Sequence, residues 1–202
     1  MSESVHEMDM ELIQDLEKKL AKKLTTKRYR HTLGVAYTAA SLAMAHGESV
    51  KKAYLAGLLH DNAKCIEGEK KIRLCEKYGL PIRDVERQNP ELLHAGLGSY
   101  LAQHEYGVED PDILLAISSH TTGRPGMSRL EKILFIADYI ESNRKSIPGL
   151  DKVRSFAFTD LDNAVLAKLE GTIHYISSKS AAMDQMTHET YAYYKKELTT
   201  KL

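Results

Sequence analysis

Apolar residues recur at a helical period along nearly the whole chain, and no stretch alternates with a strand period for more than a few residues. That pattern predicts an all-α fold, in which each helix buries one apolar stripe against its neighbours. Leu12, Leu16, Leu20 and Leu24 form an i, i+4 row on a first amphipathic helix, with lysines on the other side. A second helix is expected from about Lys27 to His46, ended by Gly47, and a third from Ser49, a candidate N-cap, to about Lys64. A shorter helix follows around Lys70–Tyr78. Asn89-Pro90 reads as an N-cap with proline at the first helical position, opening a helix to about Tyr106. Asp110-Pro111 repeats the signal ahead of DILLAISSH. After the loop TTGRPGM, Ser128 and Glu131 have capping-box spacing at the start of LEKILFIADYIE. Beyond a turn around IPGL, further helical segments run to the C-terminus.

The 202 residues suit one domain, and 43% apolar residues over that length can fill a core. The 28 Lys+Arg balance 28 Asp+Glu, which excludes a broad basic footprint for nucleic acid and an acidic tail. There is no run of ~18 apolar residues to span a membrane, and MSESVHEMDMELIQ lacks a signal-peptide pattern. Cys65 and Cys75 cannot make a disulfide framework, so a reducing cytoplasm is the expected setting. What stands out is nine His in a chain with no Trp.

Several of those His interrupt apolar faces. His31 shares a face with Val35, Thr38 and Leu42, and His60 with Ala53 and Gly57, with Asp61 next to it. His94 aligns with Leu97 and Leu101, His120 with Ile113 and Ile117, and Asp138 with Leu130 and Leu134. Four His and two Asp are thus expected to point inward from five helices. A lone core His is ordinarily a hydrogen-bonded structural residue. An ionised carboxylate in an apolar row costs several kcal/mol unless a cation or donors satisfy it. A shared cation accounts for all six residues together. Imidazole plus carboxylate suits Fe, Mn, Zn or Co rather than Ca, and the lack of Cys ligands argues against structural zinc.

The ordered series His31, His60-Asp61, His94, His120 and Asp138 resembles the six-ligand, two-metal version of the HD-domain metallophosphohydrolases. The segments KRYRHTLGVA, AGLLHDNAK, ISSHTTGRPGMSRLEK and FIADYIESNR narrow the likeness to the small bacterial YqeK family, symmetrical diadenosine tetraphosphate hydrolases. The resemblance runs from about Lys27 to Tyr191. It implies an HD-domain helical bundle over residues 27–202 with a metal site in its core. Residues 1–26 form a helical extension outside it.

The resemblance also implies roles. His31, His60, Asp61 and Asp138 would hold one metal, and His94 and His120 the other, with Asp61 bridging. Two metal ions, iron by resemblance and Mn, Co or Zn by ligand type, would acidify water and polarise phosphate oxygens. Lys64 completes HDxxK, where its ammonium can meet a phosphoryl oxygen; the alternative is a surface lysine ending a helix. Arg28, one turn before His31, can reach a phosphate chain or base, or is a surface charge in KRYR. Thr121 either contacts phosphate or does ordinary turn chemistry. Arg144 is a nucleotide-phosphate contact by resemblance and equally suits a helix C-terminus. His31 and Asp138 would also border the nucleotide. DQMTHETYAYY is similar to a family segment that closes over the nucleotide, but Glu189 follows His188 where the family commonly has Pro, so His188 is given no role. His6, His46 and His104 read as surface or helix-end residues, and His174 is unassigned.

The implied reaction is cleavage of diadenosine tetraphosphate at its central anhydride to two ADP, with a dinucleoside polyphosphate as partner and a homodimer by analogy. The rivals are an HD phosphohydrolase acting on another nucleotide and a non-catalytic nucleotide-binding module. A ferritin-like di-iron bundle is disfavoured, because paired Glu-x-x-His motifs are missing.

Overall fold

The computed structural model describes residues 2–144, 147, 149–179 and 183–200, with side chains described from residue 11 onward. The side chain of His6, and Pro148 of the IPGL turn, therefore lie outside what is described. Among the described residues there are eleven α-helices and no strand. They are α1 (Ser2–Lys23), α2 (Thr26–His46), α3 (Val50–Leu59), α4 (Gly68–Lys77), α5 (Asp84–Gln88), α6 (His94–His104), α7 (Pro111–Ser119), α8 (Arg129–Ile140), α9 (Leu150–Ala157), α10 (Leu161–Ser178) and α11 (Gln185–Thr200). A 3-10 turn, Pro90–Leu93, leads into α6.

Caps explain many of the boundaries. Thr25, Ser49 and Asp110 accept from the backbone N–H groups of Arg28, Lys52 and Asp112 at the starts of α2, α3 and α7. The Ser128–Glu131 capping box forms as its spacing predicts. Around the centre, α2 packs on α3 and α8, α7 packs on α6 and α8, and α10 packs on α8, α9 and α11. Val35, Ala39, Leu42, Leu58, Ile117, Leu134, Phe135 and Val165 fill the shared core. At Gly57 an added Cβ would lie 2.7 Å from the Ala36 Cα, so glycine is what lets α3 approach α2 this closely. A smaller cluster of Ala63, Cys75, Leu93, Leu97 and Leu101 lies under α4 and α6. The last helix returns to the middle: Tyr194 of α11 accepts the Met127 N–H at 3.1 Å, in the loop between α7 and α8.

Four expectations need correction. Leu12 is 51% exposed, and only Leu16, Leu20 and Leu24 of the first row reach the core. The third helix stops at Leu59 rather than Lys64: His60–Cys65 are turns, closed by Asn62 N–H to Leu59 O and Lys64 N–H to Asp61 O. Asp and Asn are poor helix formers, and here Asn62 leaves the helix to donate to the Gly98 carbonyl at 2.8 Å. The helix expected from Asn89 is instead the 3-10 turn followed by α6, and Asn89 makes no side-chain cap. The short helix α5 was not anticipated from the periodicity.

Candidate metal centre

The six inward residues come together, chiefly at helix ends. His60 terminates α3, His94 closes the 3-10 turn and opens α6, and His120 terminates α7. The last carbonyls of a helix have no partner within it. Each of these imidazoles uses one: Nδ1 of His60 meets Gly57 O at 2.7 Å, Nδ1 of His120 meets Ile117 O at 2.7 Å, and Nδ1 of His94 meets Glu91 O. In every case the carbonyl belongs to the residue three positions back. With Nδ1 committed outward, Nε2 is left facing the centre as a lone-pair donor. His31 differs. It lies inside α2, where carbonyls are already engaged, and its Nδ1 pairs with the carboxylate of Glu141 at 3.0 Å.

Asp61 sits between two histidine pairs. The ligating atoms of His31, His60 and Asp61 lie within 4.8 Å of one another, and so do those of Asp61, His94 and His120. Its Oδ2 is 3.4 Å from His60 Nε2 and 3.8 Å from His31 Nε2, while Oδ1 is 3.4 Å from His94 Nε2 and 4.0 Å from His120 Nε2. Asp138 joins the first group, its Oδ1 lying 3.1 Å from His31 Nε2 and 3.8 Å from His60 Nε2.

The centre fits a cation on two grounds. The Nε2 atoms of His31 and His60 are buried with no hydrogen-bond partner, which is costly for a polar atom and is relieved by a positive ligand. The imidazoles of the second group are also neutral, the form that ligates. Burial pushes the pKa of His94 down to about 3 and that of His120 down to about 4. Burial opposes ionisation of both carboxylates, but at Asp61 its pairing with His60, which also raises the pKa of that imidazole, outweighs it. His31, Arg144 and Lys168 do the same for Asp138, so both stay well below the ordinary range.

Basic side chains ring the cluster. Arg28 Nη1 donates to Asp61 Oδ2 at 2.6 Å, and Arg144 Nη2 donates to Asp138 Oδ1 at 2.6 Å. Lys64 is not on α3 as expected. From the turn after Asp61 its Nζ lies 3.4 Å from His94 Nδ1 and 3.7 Å from Glu91 Oε2, and burial lowers its pKa. Thr121 Oγ1 is 3.3 Å from the Nε2 atoms of both His94 and His120, whereas the Thr122 hydroxyl donates to the Gly123 carbonyl. A cleft of about 740 Å³ lined by Lys27, Arg28, Arg30, His31 and Arg144 opens on one side. A cavity of about 250 Å³ is lined by Leu80, Arg83, Leu93 and Thr121, the last of which contacts His94 and His120. His188 lies exposed on α11, outside the cluster.

Two residues went unnoticed in the sequence. Glu141 is 1% exposed and follows Asp138 by three positions, so helical spacing from Asp138 was its available signal. Lys168, also buried, falls between apolar neighbours on α10, donates to the Phe135 carbonyl and lies 3.4 Å over the Phe135 ring. Burial drives its pKa down to about 7, with Asp138 opposing.

The chain as a whole is similar to known proteins. A family model described as HD domain covers residues 28–143, more than half of the chain. The chain belongs to the HD-domain family. Two relatives named symmetrical bis(5'-nucleosyl)-tetraphosphatase support the YqeK likeness. The protein from Halalkalibacterium halodurans is 45% identical over 168 residues, covering 83% of this chain and 89% of its own. That from Bacillus subtilis is 44% identical over the same shares. A crystal structure titled as a "predicted HD superfamily hydrolase involved in NAD metabolism" from Clostridium acetobutylicum superposes with a TM-score of 0.88 at 41% identity. It covers 92% of this chain and 97% of that one. No helix among the described residues is long and apolar enough to cross a membrane.

Proposed function

We propose that this chain hydrolyses diadenosine tetraphosphate at the central phosphoanhydride and releases two ADP. The observation that carries the reading is the pair of relatives at 44–45% identity, named for symmetrical tetraphosphatase activity and aligned over most of both chains. The buried cluster, with Asp61 shared between two histidine pairs, supports it. Two divalent cations would be held by His31, His60, Asp61 and Asp138 and by Asp61, His94 and His120. Iron is the first choice, and Mn, Co or Zn are compatible with the donor set. When bound, such ions supply a water acidified toward neutral pH and neutralise phosphate charge.

The remaining steps fall to the chain's own side chains. Phosphoryl transfer is mostly positioning and charge stabilisation. In this reading Arg28 and Arg144 turn from Asp61 and Asp138 to phosphate oxygens when substrate enters. Lys64 approaches the reacting phosphoryl group, stabilising its charge in the transition state. The Thr121 hydroxyl, between His94 and His120, donates to a neighbouring phosphate oxygen. In this reading the cleft lined by Arg28, His31 and Arg144 takes one nucleoside diphosphate half and the cavity that includes Thr121 borders the other, with the central bond over the cluster. ADP leaves as an anion and needs little proton donation.

The reading treats residues 27–202 as the catalytic unit and 1–26 as a helical extension, in a cytoplasmic protein that forms a homodimer. Metal analysis of the anaerobically purified protein, with product identification from diadenosine tetraphosphate, tests it. Iron with ADP as sole product is expected; ATP plus AMP overturns the proposal. Equal turnover of mononucleotides would show an HD phosphohydrolase of broader range.

A further inference from the structure

Three of the four imidazoles in the cluster orient themselves with a carbonyl from their own helix end, and one depends on a distant carboxylate. His31 cannot use its own backbone, because it lies in the interior of α2. Glu141, 110 residues away, takes its Nδ1 at 3.0 Å and is itself 1% exposed. The other Glu141 oxygen accepts from the Asn143 backbone N–H at 2.7 Å and from its side-chain amide at 3.0 Å. Both Asn143 donors are neutral, so neither sets a competing charge beside the His31 contact.

A second observation points to the same carboxylate. Gly34 lies in the middle of α2, where glycine costs roughly 1 kcal/mol relative to alanine. A Cβ there would lie 2.5 Å from Glu141 Oε2 and 3.2 Å from Asn143 Nδ2. The helix thus carries an unfavourable residue where the Glu141 carboxylate must pass. The other half of the cluster has no such arrangement. His94 and His120 lean on backbone carbonyls, and Lys64 Nζ brings a cation within 3.4 Å of His94 Nδ1.

We propose that Glu141, oriented by Asn143 and given room by Gly34, is a positioning residue that makes the His31–His60–Asp61 subsite the tighter of two unequal metal subsites. The inference rests on the two-cation reading above. A carboxylate behind a ligating imidazole fixes its tautomer and raises its basicity, and losing it typically costs 10–100-fold in metal affinity. The His94–His120 subsite, lacking that support and facing Lys64, is the weaker and more readily exchanged one.

The test is titration of metal-free protein with Co²⁺, followed by calorimetry and visible absorption. Wild type is expected to bind two ions in two resolved steps, and His94→Ala to abolish the weaker step alone. Glu141→Gln should weaken the tighter step about 10–100-fold and leave the other within about threefold. Gly34→Ala separates positioning from folding. It improves helix propensity while displacing the carboxylate, so metal-free Tm should hold or rise as the tighter step weakens. Glu141→Gln variants with both constants unchanged, or both weakened alike, would overturn the role of Glu141, as would loss of the tighter step in His94→Ala. A single Co²⁺ per wild-type chain would overturn the two-cation reading itself. The titration does not depend on nucleotide turnover, so failure of the proposed reaction is seen separately.

Discussion

The cluster has two walls that are built differently. One is helical: His31 projects from the interior of α2 and Asp138 from the last turn of α8, each on a face shared with core residues. The other is made of turns and helix ends: His60, Asp61, Lys64, His94, His120 and Thr121. A helical wall holds its backbone rigidly but leaves its side chains to find outside partners, as His31 finds Glu141 and Asp138 finds Arg144. A wall of helix ends supplies its own acceptors, because its last carbonyls are free. The turn wall can therefore orient three imidazoles in a small space with backbone acceptors, while its carboxylate, Asp61, still recruits Arg28 from α2.

The largest effect should come from the one turn residue that serves both histidine pairs. Asp61→Ala should cut diadenosine tetraphosphate turnover by more than about 10³-fold, with Co²⁺ stoichiometry falling in parallel. A variant that keeps both would show that the two walls do not share a ligand. Lys64→Ala leaves the proposed ligand set intact and should lower kcat by about 10²–10³-fold, with metal content retained. Loss confined to KM would assign Lys64 to substrate binding alone.

Where the walls meet, Gly57→Ala should be destabilising by about 1–3 kcal/mol, since its Cβ would press on the Ala36 backbone while its carbonyl orients His60. Thermal unfolding of the metal-free protein measures this, and an unchanged Tm would mean that α2 and α3 can separate freely. A pH-dependent effect concerns the back of the helical wall. Lys168 is held down to about 7, largely by burial, so above that pH the fold lacks a proton that the unfolded chain still carries. Stability should therefore rise with pH from about 7 toward the ordinary lysine range, and Lys168→Met should flatten the rise. Denaturation curves across that window decide it; equal slopes would exclude Lys168 as the source.

The same division governs what could be read from the sequence. His31 and Asp138 are legible because they interrupt periodic apolar rows, and the helix period survives in the structure. His60, His94 and His120 are legible as residue types on apolar faces, but their local structure is not. The sequence continues a helical pattern through Lys64, whereas the chain turns at His60 so that Asp61 and Asn62 can reach tertiary partners. Arg28 and Arg144 do approach the cluster, but through the carboxylates, a pairing that spacing along one helix does not reveal. Glu141 and Lys168 were missed because each acts on another helix, and a single periodic stripe carries no information about what faces it.

The bond from Tyr194 to Met127 has a consequence for the order in which the molecule can be completed. A chain emerging from the ribosome presents every proposed ligand once Asp138 has appeared. The loop that follows His120 receives its partner from α11 only after some fifty further residues have been made, for synthesis at roughly 5–20 residues per second a delay of seconds. During that interval the nascent chain owns a full set of imidazoles and carboxylates beside a loop held by Arg124–Glu131 but lacking its α11 contact.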